Sequence, residues 1–211
     1  MFKNREQAAQ LLIKKLSKYK GTNVFVFAIP RGAVGMGKII AKALGVSFDI
    51  VVVKKIGAPN NPELAIGAVG PEKTVLWEKS LRKALAITQA QATSLRNEKE
   101  KEQQEREKLL RGGKLYPNLI GKTVLIVDDG VATGATSVVA AVFAKKKGAK
   151  KIILVTPVIA RDTLVKARRY FDEVVYLEAP KEFHAVGQFY TEFPQVTDDQ
   201  VRAILEKVTI I

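Results

Sequence analysis

Leu125-Ile126-Val127-Asp128-Asp129-Gly130-Val131-Ala132-Thr133-Gly134-Ala135-Thr136-Ser137 is the stretch from which the rest of the chain reads outward. Residues 123–127 form a short, β-branched apolar run of the kind that makes a buried strand, and it delivers two adjacent carboxylates, Asp128 and Asp129, to its end. In open α/β folds that end is where ligands bind. Small residues follow, and a helix then runs to about Lys147. Backbone N–H groups at such a helix start, backed by the helix dipole, form an anion site, and the small side chains let a phosphate come close. Thr133, Thr136 and Ser137 offer hydroxyl donors beside them. Acceptors for hydroxyls therefore stand next to donors for a phosphate. A sugar phosphate satisfies both, whereas the acid pair would repel a bare phosphate.

Similar β-then-α passages flank this one. Residues 24–29 lead through a Gly-rich turn into a helix ending near Leu44, and residues 48–53 give a second strand. Residues 151–156 and 174–177 give further strands, with a helix over residues 161–169 between them. A first helix, about residues 4–19, places Ala8, Leu12, Leu16 and Tyr19 on one stripe, and Thr197-Asp198-Asp199-Gln200 fits a capping box opening a terminal helix. Short apolar runs alternating with helices predict an α/β fold with a doubly wound, mainly parallel sheet covered on both faces.

Composition narrows the chemistry. The chain has 211 residues, enough for one α/β domain and too few for two full-sized ones. At 47% hydrophobic and 27% charged it can bury a core. The absence of Cys removes thiolate metal sites and cysteine nucleophiles, and a single His, His184, removes zinc sites built on several histidines. No apolar run is long enough to span a bilayer, so the expectation is a soluble, cytoplasmic protein. Lys and Arg outnumber Asp and Glu by 35 to 21, a net charge of +14 that suits a polyanionic or phosphorylated partner.

Residues 54–121 interrupt the alternation. They hold Gly57-Ala58-Pro59-Asn60-Asn61-Pro62, a short apolar piece over residues 64–69, and a helical stretch from about Ser80 to Gly112-Gly113. Residues 96–108 carry ten charges in thirteen positions, five of each sign, with Glu102/Arg106 and Glu107/Arg111 spaced i, i+4. The expectation is a long helical insertion acting as a mobile lid or projecting arm, the charged helix offering a homodimer contact.

The central stretch resembles the 5-phosphoribosyl-1-pyrophosphate (PRPP) fingerprint of the type I phosphoribosyltransferases. Ile29-Pro30-Arg31-Gly32-Ala33 is similar to the family's pyrophosphate loop, and the Lys-Lys-Ile-Gly-Ala-Pro and Phe-His-Ala-Val-Gly-Gln-Phe-Tyr runs are similar to a bacterial and archaeal group of predicted phosphoribosyltransferases. The resemblance implies a single phosphoribosyltransferase domain over residues 1–211, with a small C-terminal hood at residues 178–196. It assigns the ribose hydroxyls, and indirectly through the substrate a Mg²⁺ ion, to Asp128 and Asp129. The 5-phosphate falls to Gly130, Val131, Ala132, Thr133, Gly134, Ala135, Thr136 and Ser137. Pyrophosphate falls to Arg31, Gly32 and one or both of Lys54 and Lys55, and an acceptor base to Phe183. A cis peptide just before Arg31 or Gly32 is also implied. The activity implied is Mg²⁺-dependent transfer of the phosphoribosyl group from PRPP to a nitrogenous base.

Other readings of these motifs fit less well. Gly32 to Ile39 matches a P-loop except at its last position, where Ile39 replaces the Mg²⁺-binding hydroxyl. A receiver domain would also open with an acidic pair, but its acceptor Asp ends a later strand, whereas Asp172 precedes one. A non-catalytic PRPP sensor that binds nucleic acid is the alternative to an enzyme. Its candidate surface is Lys145, Lys146, Lys147, Lys150 and Lys151, five lysines in seven residues at the sheet's opposite edge. Glu182 and Thr156-Pro157 depart from the 6-oxopurine enzymes at their lysine positions, so the acceptor's identity does not follow.

Overall fold

The computed structural model describes residues 1–206; residues 207–211, the last of the expected single domain, lie outside the described residues. Five parallel strands form the main sheet: β1 (Val24–Ala28), β2 (Ser47–Ile50), β6 (Thr123–Val127), β7 (Lys151–Val158) and β8 (Glu173–Glu178). Their order is β2-β1-β6-β7-β8. The side-chain period of two sorts each strand between two cores. Val24, Val26, Ala28, Leu125 and Val127 face one core together with residues of α1 (Arg5–Lys15) and α2 (Ala33–Leu44). Phe25, Phe27, Val124 and Ile126 face the other, with residues of α5 (Ala135–Lys146) and α6 (Arg161–Ala167). Both faces are covered, which is why the strands read as unbroken apolar runs. Ala8, Leu12, Leu16 and Tyr19 are all buried, as the stripe on the first helix predicts.

The chain after β1 winds toward β2, and the chain after β6 winds toward β7. Between β1 and β6 the winding therefore reverses, with Ala28 opposite Val127 in the last register pair. A crevice opens at such a switch point beyond the strand ends. The acid pair and the Pro30-Arg31-Gly32 turn both lie there, and the Pro30–Arg31 peptide is cis, as the resemblance implies.

The insertion departs from its expected helical character. It opens with a three-stranded antiparallel sheet, β3 (Lys54–Ala58), β4 (Asn61–Gly70) and β5 (Thr74–Trp77). Pro59-Asn60 is a two-residue hairpin turn, and the β3–β4 register slips on either side of Gly57. Gly57 and Gly67 lie within these strands. A Cβ on Gly57 would lie 2.3 Å from the Pro62 carbonyl oxygen, and one on Gly67 would lie 2.6 Å from that of Leu76. The glycines mark close backbone approach in a bulged sheet.

Two helices follow, α3 (Lys79–Ala84) and α4 (Gln89–Arg111), the second opened by a Thr88–Gln91 capping box and closed at Gly112 with φ +63°. Although α4 is highly charged, it packs against β3 and β4 and does not project as an arm. Gln103 donates to the Val52 carbonyl at 3.0 Å. The buried Arg111 binds Asp49 at 2.6 Å and lies 3.6 Å above the Tyr116 ring. The terminal helix α7 (Asp198–Glu206) starts at the expected box, Thr197 and Gln200 each accepting the other's backbone N–H through their side chains. Among the described residues, no helix is long and apolar enough to cross a membrane.

Candidate functional site

Strand β6 is followed by Asp128, whose carboxylate is buried and accepts a 3.0 Å hydrogen bond from the Ser137 hydroxyl. Burial pushes its pKa upward and the neighbouring Asp129 pushes it further, while Lys55 opposes the rise. Asp129 is also raised by burial, against the pull of Arg5, which donates its Nε–H to Oδ2 at 2.7 Å. Two acids side by side in low dielectric suit oriented hydroxyl donors, which stabilise the charged form without adding a charge.

Residues 130–134 loop from the strand into α5, turning at Gly134 with φ +77°. Thr163 donates its hydroxyl to the Ala132 carbonyl and Val131 bridges to Ile159, so the turn is tied from outside. Thr133 is exposed and Thr136 half-buried, both at the mouth of the helix. Ser137 is fully buried on Asp128, so its hydroxyl holds the acid pair in this arrangement.

Gly32 precedes α2 and meets Asp129 head on. A Cβ there would sit 1.8 Å from Asp129 Oδ2 and 3.0 Å from Arg5 Nε. The turn after β1 thus touches the acid pair after β6. Arg31 extends from that turn, 3.9 Å from Asp198. Lys54 pairs with Glu102 of α4 at 3.0 Å, and Lys55 is exposed and senses Asp128.

The C-terminal segment covers the same crevice. Val186 fills the space beside Gly130, where a Cβ would lie 2.3 Å from its Cγ1. The Tyr190 hydroxyl donates to the Asp129 carbonyl at 2.6 Å; burial and the acid charges raise its pKa. Phe193 stacks on Tyr190 at 4.8 Å and carries the Arg5 guanidinium 3.7 Å from its centroid. Arg5 also donates to the Pro194 carbonyl at 2.8 Å. Arg5, Tyr190 and Phe193 are site residues that the motifs did not reveal. The bridge between Phe2 and Tyr190 joins positions far apart in the sequence, beyond any spacing rule.

Phe183 is half-buried, 5.0 Å from Phe189 in a tilted ring pair. His184 is exposed. In the lysine cluster, Lys147 binds Glu72 at 3.0 Å, Lys146 reaches the Glu72 carbonyl and Lys151 binds Glu173 at 3.0 Å. Among the described residues no three His, Cys, Asp or Glu side chains converge as a metal cage. A pair of carboxylates beside a helix start that opens at a glycine does fit Mg²⁺, which is usually held by one or two carboxylates with substrate phosphates and water.

An acid pair, a helix start turned at a glycine and an arginine-bearing loop meet at the switch point of a doubly wound α/β sheet. Residues 2–193 match the family model described as the phosphoribosyl transferase domain, and the chain belongs to that family. Two Mycobacterium tuberculosis proteins, from strains CDC 1551 and H37Rv, are each 36% identical to it over 207 residues, 98% of this chain and 47% of theirs. Each bears a provisional name as a phosphoribosyl transferase, and this chain spans about half the length of these curated relatives. The crystal structure of TT1426 from Thermus thermophilus is similar over 97% of both chains, with 32% identity and a TM-score of 0.82. The Aquifex aeolicus protein AQ2163 shares the fold at 13% identity and a TM-score of 0.52, over 83% of this chain and 74% of its own.

Proposed function

We propose that the domain transfers the 5-phosphoribosyl group of PRPP to a nitrogenous base with release of pyrophosphate. The observation that carries this reading is the contact between Gly32 and the Asp129 carboxylate, which joins the expected pyrophosphate loop to the expected diol acids. PRPP spans the same three features in one molecule. Its 5-phosphate lies on the amides of residues 130–137 with the Thr133 and Thr136 hydroxyls, and its ribose hydroxyls donate to Asp128 and Asp129. Its pyrophosphate lies against Arg31, the Gly32 backbone, Lys54 and Lys55. Mg²⁺, when bound, neutralises the leaving pyrophosphate.

The C1–O bond breaks with its electron pair leaving on pyrophosphate, and a bond from the acceptor nitrogen to C1 forms. The nitrogen's proton passes to solvent. The residues contribute position and electrostatics, and the segment around residues 178–196 excludes water from a centre that water would otherwise attack. Phe183, half-buried, offers a stacking partner to the base, whereas the Phe193 ring is already engaged by Tyr190 and Arg5. The nucleic-acid sensor reading loses ground because acids already engage part of the lysine cluster.

A panel of purine and pyrimidine bases with PRPP and Mg²⁺, read by pyrophosphate release, tests the proposal. Turnover with one base is expected, and Asp128→Asn with Asp129→Asn abolishes it while the fold survives. Full activity in that double variant overturns the assignment.

A further inference from the structure

Two arginines converge on one carboxylate oxygen beside the pyrophosphate loop. Arg106 Nη2 lies 2.6 Å from Asp198 Oδ1, and Arg31 Nη1 lies 3.9 Å from the same atom. The three residues come from α4, the N-terminus of α7 and the turn before α2. Asp198 is not needed as the helix cap, because Thr197 and Gln200 already perform that task. One turn before Arg106 on the same helix, Glu102 binds Lys54 at 3.0 Å. The face of α4 bearing Glu102 and Arg106 therefore runs past both cationic elements assigned to pyrophosphate. Each of those cations is matched, in the free protein, by a carboxylate from elsewhere in the chain.

We propose that Arg106 is a third pyrophosphate-binding residue, and that Asp198 stands in for the pyrophosphate between Arg31 and Arg106 until the substrate arrives. The inference deepens the proposed function and rests on its pyrophosphate site. Two guanidinium groups sharing one carboxylate leave positive charge unmatched. A pyrophosphate brings several charges and acceptor oxygens in their place, and arginine's planar fork can take two at once. A site that its own carboxylate occupies binds ligand more weakly, by the fraction of time it is filled. Removing the Asp198 charge should thus strengthen anion binding. A purely structural clasp between α4 and α7 predicts the opposite.

Calorimetry on the full chain separates these cases, with inorganic pyrophosphate plus Mg²⁺ as one probe and ribose 5-phosphate as the other. Loss of a charge-assisted hydrogen bond predicts that Arg106→Met weakens pyrophosphate binding about 10-fold or more. Ribose 5-phosphate, held at the other end of the crevice, should change by less than about twofold. Arg106→Lys should recover part of the loss, and Asp198→Asn should tighten pyrophosphate binding several-fold. If Arg106→Met unfolds the chain, the Arg106→Lys and Asp198→Asn proteins decide. Pyrophosphate affinity that is unchanged in the Arg106 and Asp198 variants, or weakened by Asp198→Asn, overturns the inference while normal ribose 5-phosphate binding leaves the functional reading standing. Wild-type protein that binds neither PRPP nor ribose 5-phosphate overturns that reading itself.

Discussion

Gly32→Ala adds one methyl group at the point where the two halves of the site meet. Gly32 has φ −59°, an ordinary right-handed conformation, so alanine costs nothing in the backbone. The methyl carbon would lie 1.8 Å from Asp129 Oδ2 and 2.7 Å from its Cγ, far inside ordinary contact. The carboxylate must swing aside by roughly 1.5 Å, since uncrowded contacts begin at about 3.4 Å. That movement breaks the 2.7 Å bond from Arg5. A hydrogen bond to a charged group contributes about 1.5–3 kcal/mol, and partial rehydration offsets some of its loss, so a stability decrease of about 1–2 kcal/mol is expected. The effect on ligand is larger. If the displaced carboxylate forfeits two hydrogen bonds to the ribose, at about 1.5 kcal/mol each, PRPP affinity falls by about 100-fold or more. Gly35→Ala is the control. It lies in the first turn of the helix that Gly32 precedes, with nothing within 4 Å of its added Cβ, so it should stabilise the protein by about 0.5–1 kcal/mol. Urea unfolding and calorimetry with PRPP and Mg²⁺ measure both quantities. PRPP binding by Gly32→Ala within about threefold of wild type would refute the claim that the Asp129 carboxylate, held where it is, grips the ligand.

The remaining predictions concern charges elsewhere. Arg111→Met leaves Asp49 buried without its partner and should cost about 3–5 kcal/mol in urea unfolding, while the paired change with Asp49→Leu should recover much of it; equal losses in single and double variants would contradict a charge-pairing origin. Glu173 is held down to about 2: burial alone would raise it, but hydrogen bonds from Lys18, Tyr19 and Lys151 outweigh that effect. Its folded value lies below the unfolded one, so its stabilisation is present above about pH 4.5 and disappears as pH falls toward 2. Both lysines are substantially exposed, which reduces the contribution to about 1 kcal/mol. Glu173→Gln should flatten the acid limb of a stability–pH curve over that window, and an unchanged limb would place the acid sensitivity elsewhere.

How much of this was legible in the sequence depends on the range of the interaction. The parallel strands were readable because burial on both faces leaves runs such as residues 123–127 uniformly apolar. The acid pair and the glycine turn could be read because strand, turn and helix start are contiguous. The β3–β4–β5 sheet was hidden because Gly57 and Gly67, which its close backbone contacts require, are also the usual marks of loop. The α4 helix misled for a different reason. Its composition describes its solvent face, while only Ala92, Gln103, Leu110 and Arg111 are buried, two of them polar. A buried arginine has no sequence signature apart from its partner, and Asp49 lies 62 positions away.

The same distance argument explains why the motifs point to candidate ligand contacts and not to their counter-charges. Asp129, Arg31 and Lys54 were each assigned to substrate on local grounds, and each is engaged by a residue from another element: Arg5, Asp198 and Glu102. Partly buried charges drawn into one crevice are costly without partners. Opposite charges must therefore be supplied by the chain, from wherever the fold brings them near. Arg5 differs from the other two in geometry. It lies 3.7 Å from the Phe193 ring centroid, bonds the Pro194 carbonyl and is only 15% exposed, so it is fixed by contacts independent of Asp129. Glu102 and Asp198 are about one-third exposed and gain water when released. On the proposed function, the contrast divides the counter-charges: Arg5 holds its carboxylate in position with ligand present, and the two acids give way to it.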